Sequence, residues 1–238
     1  MTARPAFYAL RPGGWRDYVT LLHLPYTAWH LSYVVVGACI AAVVSWQRLG
    51  ATLLAFALAL GIGAHALDEL RGRPLRTRIP DAVLVGLAAA AIACACGIGV
   101  AVAVGFDLWL LVYVAAGAFL VVAYNLELTG FHTDLWFGLA WGAFPVLTAA
   151  FAQTRSVEPE AVLAAASAVL LSLAQRRLST QVRHARRQVR SVSGQLVLDD
   201  GAVEPVDVAT LSAAPEWALR ALSAAVVALA AAMLVARL

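Results

Sequence analysis

Seven mostly apolar stretches run through the chain, at about 19–44, 49–68, 82–105, 107–126, 134–153, 159–178 and 213–236. A helix needs roughly 20 apolar residues to cross the hydrocarbon core of a bilayer, and each stretch approaches or exceeds that length. Of the 238 residues 62% are hydrophobic and 13% charged, and the mean hydropathy is +0.81, so lipid rather than water is the natural solvent. The pattern predicts an all-α integral membrane helical bundle of about seven transmembrane helices, one domain over 1–238 without internal repeat. Two connections are long, Arg71 to Asp81 and Arg176 to Leu211, and the polar piece Ser191 to Asp207 in the second reads as a short hairpin or loop.

All 17 basic residues are arginines, and no lysine occurs. Retinal chemistry needs a lysine amine for its Schiff base, so light sensing of the rhodopsin kind is excluded despite the seven spans. Arginines near helix ends resist translocation. A cytoplasmic N-terminus puts thirteen of them on that side: Arg4, Arg11, Arg16, Arg71, Arg73, Arg76, Arg78, Arg176, Arg177, Arg183, Arg186, Arg187 and Arg190. The opposite side then receives three, Arg48, Arg155 and Arg237. The expected location is a bacterial plasma membrane, with cytoplasmic loops at 71–81, 127–133 and 179–211. Met1 to Trp15 holds no short apolar run ending in a cleavage site, so the first span is expected to direct insertion itself. Cys39, Cys94 and Cys96 lie within apolar runs and read as small buried hydrophobes.

The most informative segment ends the second span, from Gly63 to Pro80. His65, Asp68 and Glu69 stand at i, i+3 and i+4, a spacing that lets them share a helical face and converge on a cation or a hydrogen-bond network. Oxygen ligands suit Mg²⁺, and a histidine among them also admits Mn²⁺, Fe²⁺ or Zn²⁺. The alternative is that Asp68 and Glu69 end the helix at the interface and pair with nearby arginines. Arg71, Arg73, Arg76 and Arg78 follow within eight residues. Guanidinium forks bind phosphate bidentately, so this cluster suits a diphosphate as well as marking orientation.

These residues resemble the UbiA superfamily of intramembrane prenyltransferases. The likeness rests on the stretch Leu10-Arg11-Pro12-Gly13-Gly14-Trp15, on His65-x-x-Asp68-Glu69 in place of an Asn/Asp metal motif, and on Arg76-Thr77-Arg78-Ile79-Pro80 in place of an Arg-Thr element. Further along, Ala123-Tyr124-Asn125-Leu126-Glu127 and Gly138 to Pro145 look like the family's tyrosine-led loop and the Gly-rich helix after it. The interfacial aromatic belt accounts equally well for Tyr124 and Trp136, and His132 and Asp134 read as loop or site residues alike. Where the family carries a second aspartate motif, this chain has Gln175 to Arg190 with no carboxylate. There Arg183, Arg186, Arg187 and Arg190 follow i, i+3, i+4 and i+7, a basic face for a phosphate or for anionic lipid. The family's bundle typically has nine helices, and the resemblance covers about residues 10–190.

The resemblance implies an enzyme acting on an isoprenoid diphosphate by prenyl transfer or cyclisation. Mg²⁺ on Asp68 and Glu69, assisted by His65, would draw charge from the leaving diphosphate. Arg71, Arg73, Arg76, Arg78, Arg183, Arg186 and Arg187 would hold it, while Tyr124 and Asn125 would shape the cavity or stabilise a carbocation. The alternative is a relative without catalysis that binds lipid or a protein partner. A third reading is a metal-dependent hydrolase or oxidase using His30, His65 and His132, and a fourth is a transporter, although the charges cluster at one face rather than at the midplane. The expected partners are membrane lipid and a lipid substrate, and no nucleic acid.

Overall fold

The computed structural model describes residues 5–238. Arg4, counted above with the basic N-terminal residues, lies outside the described residues. The described chain forms eight helices: α1 Trp15–Leu21, α2 Leu24–Ile40, α3 Trp46–Leu70, α4 Asp81–Gly105, α5 Leu110–Asn125, α6 Asp134–Thr154, α7 Pro159–Arg187 and α8 Val208–Val235. Between α7 and α8 lies an antiparallel hairpin, β1 Gln195–Val197 with β2 Val203–Pro205, in which Leu196 faces Glu204.

Five helices, α3, α4, α6, α7 and α8, are long and apolar enough to cross a membrane, the property of an integral membrane protein. The apolar helices α2 and α5 have 17 and 16 residues, which at 1.5 Å per residue is about 24–26 Å, short of the roughly 30 Å core. The first expected span, 19–44, is therefore broken. His23 turns the chain in the left-handed region, with φ 46°, and α2 begins on the far side with Pro25 in its first turn, where proline loses no hydrogen bond. The sixth expected span runs on past 178, because the arginine-rich stretch continues α7 to Arg187. Arg190 lies beyond that helix.

Within the bundle α6 is the central helix, with 61% of its apolar window buried against 22% for α4 and for α8. It packs on α2 and α7 across small residues. A Cβ on Gly37 of α2 would lie 2.2 Å from the Val146 carbonyl oxygen, and one on Gly142 would lie 2.7 Å from that of Ala168 on α7. Contacts this close need glycine, as is usual where helices meet in membranes. Trp29, Tyr33, Val146, Ala168 and Val226 fill the space where α2, α6, α7 and α8 meet.

Two stretches are wound as π-helix, Ala57–Ala64 in α3 and Leu139–Ala143 in α6. Wide turns of this kind leave backbone carbonyls for side chains and recur at functional sites. Here the carbonyls of Gly61 and Trp141, one in each stretch, accept from the imidazoles of His65 and His30.

Candidate functional site

At one end of the bundle a chamber of about 340 Å³ opens between residues 5–8, α2, the ends of α3 and α5, the loop after α5, and α7. Beside it, between α3, α4, α5 and α6, lies an apolar groove whose lining includes Phe56, Cys96, Tyr113, Gly117 and Phe144. Leu60 and Trp141 line both, so the two spaces share these residues as a wall. Each of the two belongs to a π-helical stretch.

The expected trio divides. His65 and Asp68 line the chamber, but Glu69 is fully buried and faces the loop that follows α3. One carboxylate oxygen accepts from the Leu75 amide at 2.9 Å. The other accepts from the Thr77 amide at 2.9 Å and the Thr77 hydroxyl at 2.8 Å. Helical geometry is the cause. Positions 68 and 69 flank position 65 but are about 100° apart from each other, so one can face a cavity while the other faces a loop. Glu69 thus organises the loop instead of joining His65 and Asp68.

The loop arginines divide as well. Arg71 lines the chamber and pairs with Glu127 at 3.1 Å. Arg73 donates to the Ile79 carbonyl at 2.5 Å and pairs with Asp81. Arg76 and Arg78 are exposed and outside the chamber wall. The Arg78 amide donates to the buried Asp17 at 2.9 Å, whose other oxygen accepts from Gly13 at 2.8 Å, fastening α1 to this loop.

On α7 the expected basic face is also split. Arg183 and Arg187, one turn apart, line the chamber, whereas Arg186 reaches Glu216 of α8, which also pairs with Arg220 at 2.6 Å. Arg183 donates to Thr180 at 3.1 Å and Arg187 to the Pro5 carbonyl at 3.2 Å. Neither has a carboxylate within ion-pair distance among the described residues.

Tyr124 and Asn125 both line the chamber. The Tyr124 hydroxyl accepts from Arg176, which also pairs with Asp134. The Asn125 amide donates to Val121 at 2.7 Å. The Tyr124 ring lies 4.6 Å from that of His132 and 5.6 Å from that of Trp141.

Sequence reasoning missed Tyr8, His23, Tyr26 and Gln175, and it assigned Arg176 only to orientation; all five line the chamber. His23 stacks on His65 with centroids 4.0 Å apart and planes 13° from parallel, and its Nδ1 lies 3.1 Å from the Tyr8 hydroxyl. Burial first, and then the neighbouring His65, hold His23 well below the ordinary histidine range. Burial likewise raises the Tyr8 hydroxyl above its ordinary value, so this bond joins two neutral groups at pH 7. Gln175 Oε1 is buried without a hydrogen-bond partner among the described residues. An amide beside arginine in an apolar helix was the available signal for it. His23, a polar residue inside the expected first span, offered the same signal, and Tyr8 offered none.

Mg²⁺ wants near-octahedral oxygen ligation with few but well-placed carboxylates. The chamber offers Asp68 among arginines, because Glu69 serves the loop and the Glu127 carboxylate is on Arg71. Among the described residues no three of His, Cys, Asp and Glu gather to hold a metal. Apart from Asp68, this donor set offers a cation no carboxylate free of an arginine among the described residues. It fits an anion, since four arginines less two carboxylates leave the lining at a formal +2. Comparisons with protein-family models, characterised proteins and solved structures find no match to this chain.

Proposed function

We propose that the protein is a divergent UbiA-like membrane protein that takes an isoprenoid diphosphate at its cytoplasmic face, the diphosphate in the arginine-walled chamber and the chain in the apolar groove. The observation that carries this reading is that Leu60 and Trp141 line both spaces, which sets a polar pocket of net positive charge directly beside an apolar one. An amphiphile with an anionic end matches both at once. Arg183 and Arg187 hold the diphosphate, and Arg71 and Arg176 complete the wall. A cytoplasmic N-terminus, which the arginine asymmetry favours, is the reading that puts this mouth on the cytoplasmic side.

Turnover by prenyl transfer or cyclisation is the reading that the family resemblance supports. The faces of Tyr124 and Trp141 are suited to a cation forming nearby. Binding without turnover is the second reading, and it is favoured because Asp68 is the one lining carboxylate outside ion-pair distance of an arginine among the described residues. Purified protein incubated with farnesyl or geranylgeranyl diphosphate, with Mg²⁺ or with EDTA, separates the two when bound lipid and released diphosphate are both measured. Release establishes an enzyme, and retention without release establishes a binder. Neither retention nor release removes both readings.

A further inference from the structure

The chamber is built from two chemically different sets of groups. Arg176, Arg183 and Arg187 of α7 contribute donors, and histidines on α2, on α3 and on the loop after α5 contribute acceptors. The Nδ1 of His30 lies 2.8 Å from the Trp141 carbonyl, that of His65 lies 3.2 Å from the Gly61 carbonyl, and that of His132 lies 3.1 Å from the Tyr124 carbonyl. A carbonyl oxygen can only accept, so in all three rings Nδ1 carries the hydrogen, and a neutral ring leaves Nε2 with a bare lone pair. All three residues line the chamber. They do not converge with other donors on one point, as a cation would require. Gln175 Oε1 of α7, buried and without a partner among the described residues, adds a fourth acceptor, and the Asp68 carboxylate a fifth.

A diphosphate at neutral pH offers mainly acceptor oxygens, which suit the arginines and leave these acceptors to water, whereas a head that also carries hydroxyls gives them donors. Resting on the reading that the chamber holds a phosphorylated head, we propose that it selects a polyol phosphate, with the phosphate on Arg183 and Arg187 and separate hydroxyls donating to Nε2 of His30, His65 and His132. The same chemistry occurs in a free polyol phosphate and in a lipid headgroup.

Binding to purified protein in nanodiscs tests this with myo-inositol 1-phosphate against cyclohexyl phosphate, which has the same ring and charge without the hydroxyls. Farnesyl diphosphate runs in parallel, with phosphatidylinositol against phosphatidic acid as the lipid arm. The expected result is at least a tenfold preference for the hydroxylated ligand, which falls towards one in His65→Leu and in His132→Leu. A preference in both arms identifies a lipid head, and one confined to the soluble arm identifies a free polyol phosphate; either supports the proposal. Because each variant is scored by a ratio between two ligands, residual binding of cyclohexyl phosphate certifies that it is folded. Equal affinity for the two ring phosphates, with farnesyl diphosphate still bound, overturns the polyol proposal and leaves the anion reading standing. Binding of no phosphate or diphosphate overturns both.

Discussion

Glu69 holds Thr77 by two bonds to one carboxylate oxygen, from the backbone amide at 2.9 Å and from the hydroxyl at 2.8 Å. With the Leu75 amide on the other oxygen, this fully buried side chain fixes the turn from α3 into α4. Hydrogen bonds to a buried charge contribute about 1.5–3 kcal/mol, and leaving their donors unmade adds to the loss. Glu69→Ala is therefore expected to destabilise the protein by about 3 kcal/mol and to open the loop to protease. Asp68→Asn, one position away, leaves thermal unfolding nearly unchanged. Unfolding in detergent and limited proteolysis check the contrast. Equal effects of the two substitutions would contradict the division of roles.

The closest helix contact gives a second expectation. At Gly37 an added methyl meets the backbone of α6 at 2.2 Å, whereas at Gly50 of α3 it meets nothing within 4 Å. Overpacking costs typically about 1–3 kcal/mol, and glycine to alanine in an open helix gains about 0.5–1 kcal/mol. Gly37→Ala should lower the unfolding temperature and Gly50→Ala should raise it slightly. Finding the same sign for both would refute the α2–α6 packing.

The Tyr8–His23 contact predicts a pH dependence. His23 in the folded protein lies below its ordinary value, so the unfolded chain takes up a proton that the folded one refuses. Stability from this group is complete above the ordinary histidine pKa and is lost as pH falls below it towards the folded value. The loss is about 1.4 kcal/mol for each pH unit in that window. Unfolding temperatures measured between pH 8 and pH 5 should fall, and the slope should flatten in His23→Asn. An unchanged slope in the variant would assign the acid sensitivity elsewhere.

Sequence alone made the helical bundle and its apolar spans legible, since apolar length is a local property of the chain. The break at His23 was not legible, because a left-handed residue between two apolar stretches leaves the hydropathy unchanged. The site was half legible. His65, Asp68, Tyr124, Asn125, Arg71, Arg183 and Arg187 were named, and all reach one chamber. The spacing of Glu69 and of Arg186 matched that of their neighbours, but what they bond to is decided by the loop at Thr77 and by Glu216 on α8. Helical spacing gives a residue's face and not what that face meets. Tyr8 enters the chamber through tertiary folding, which no local pattern encodes.

The central claim is that arginines, rather than a metal, hold the anionic head, and isothermal titration of farnesyl diphosphate into the protein in nanodiscs tests it most directly. The account predicts binding that persists in EDTA, weakens with added salt, and drops at least tenfold in Arg183→Gln and in Arg187→Gln. Asp68→Asn should bind as well as the unaltered protein or better. Binding that requires Mg²⁺, is abolished by Asp68→Asn and survives both arginine substitutions would contradict it.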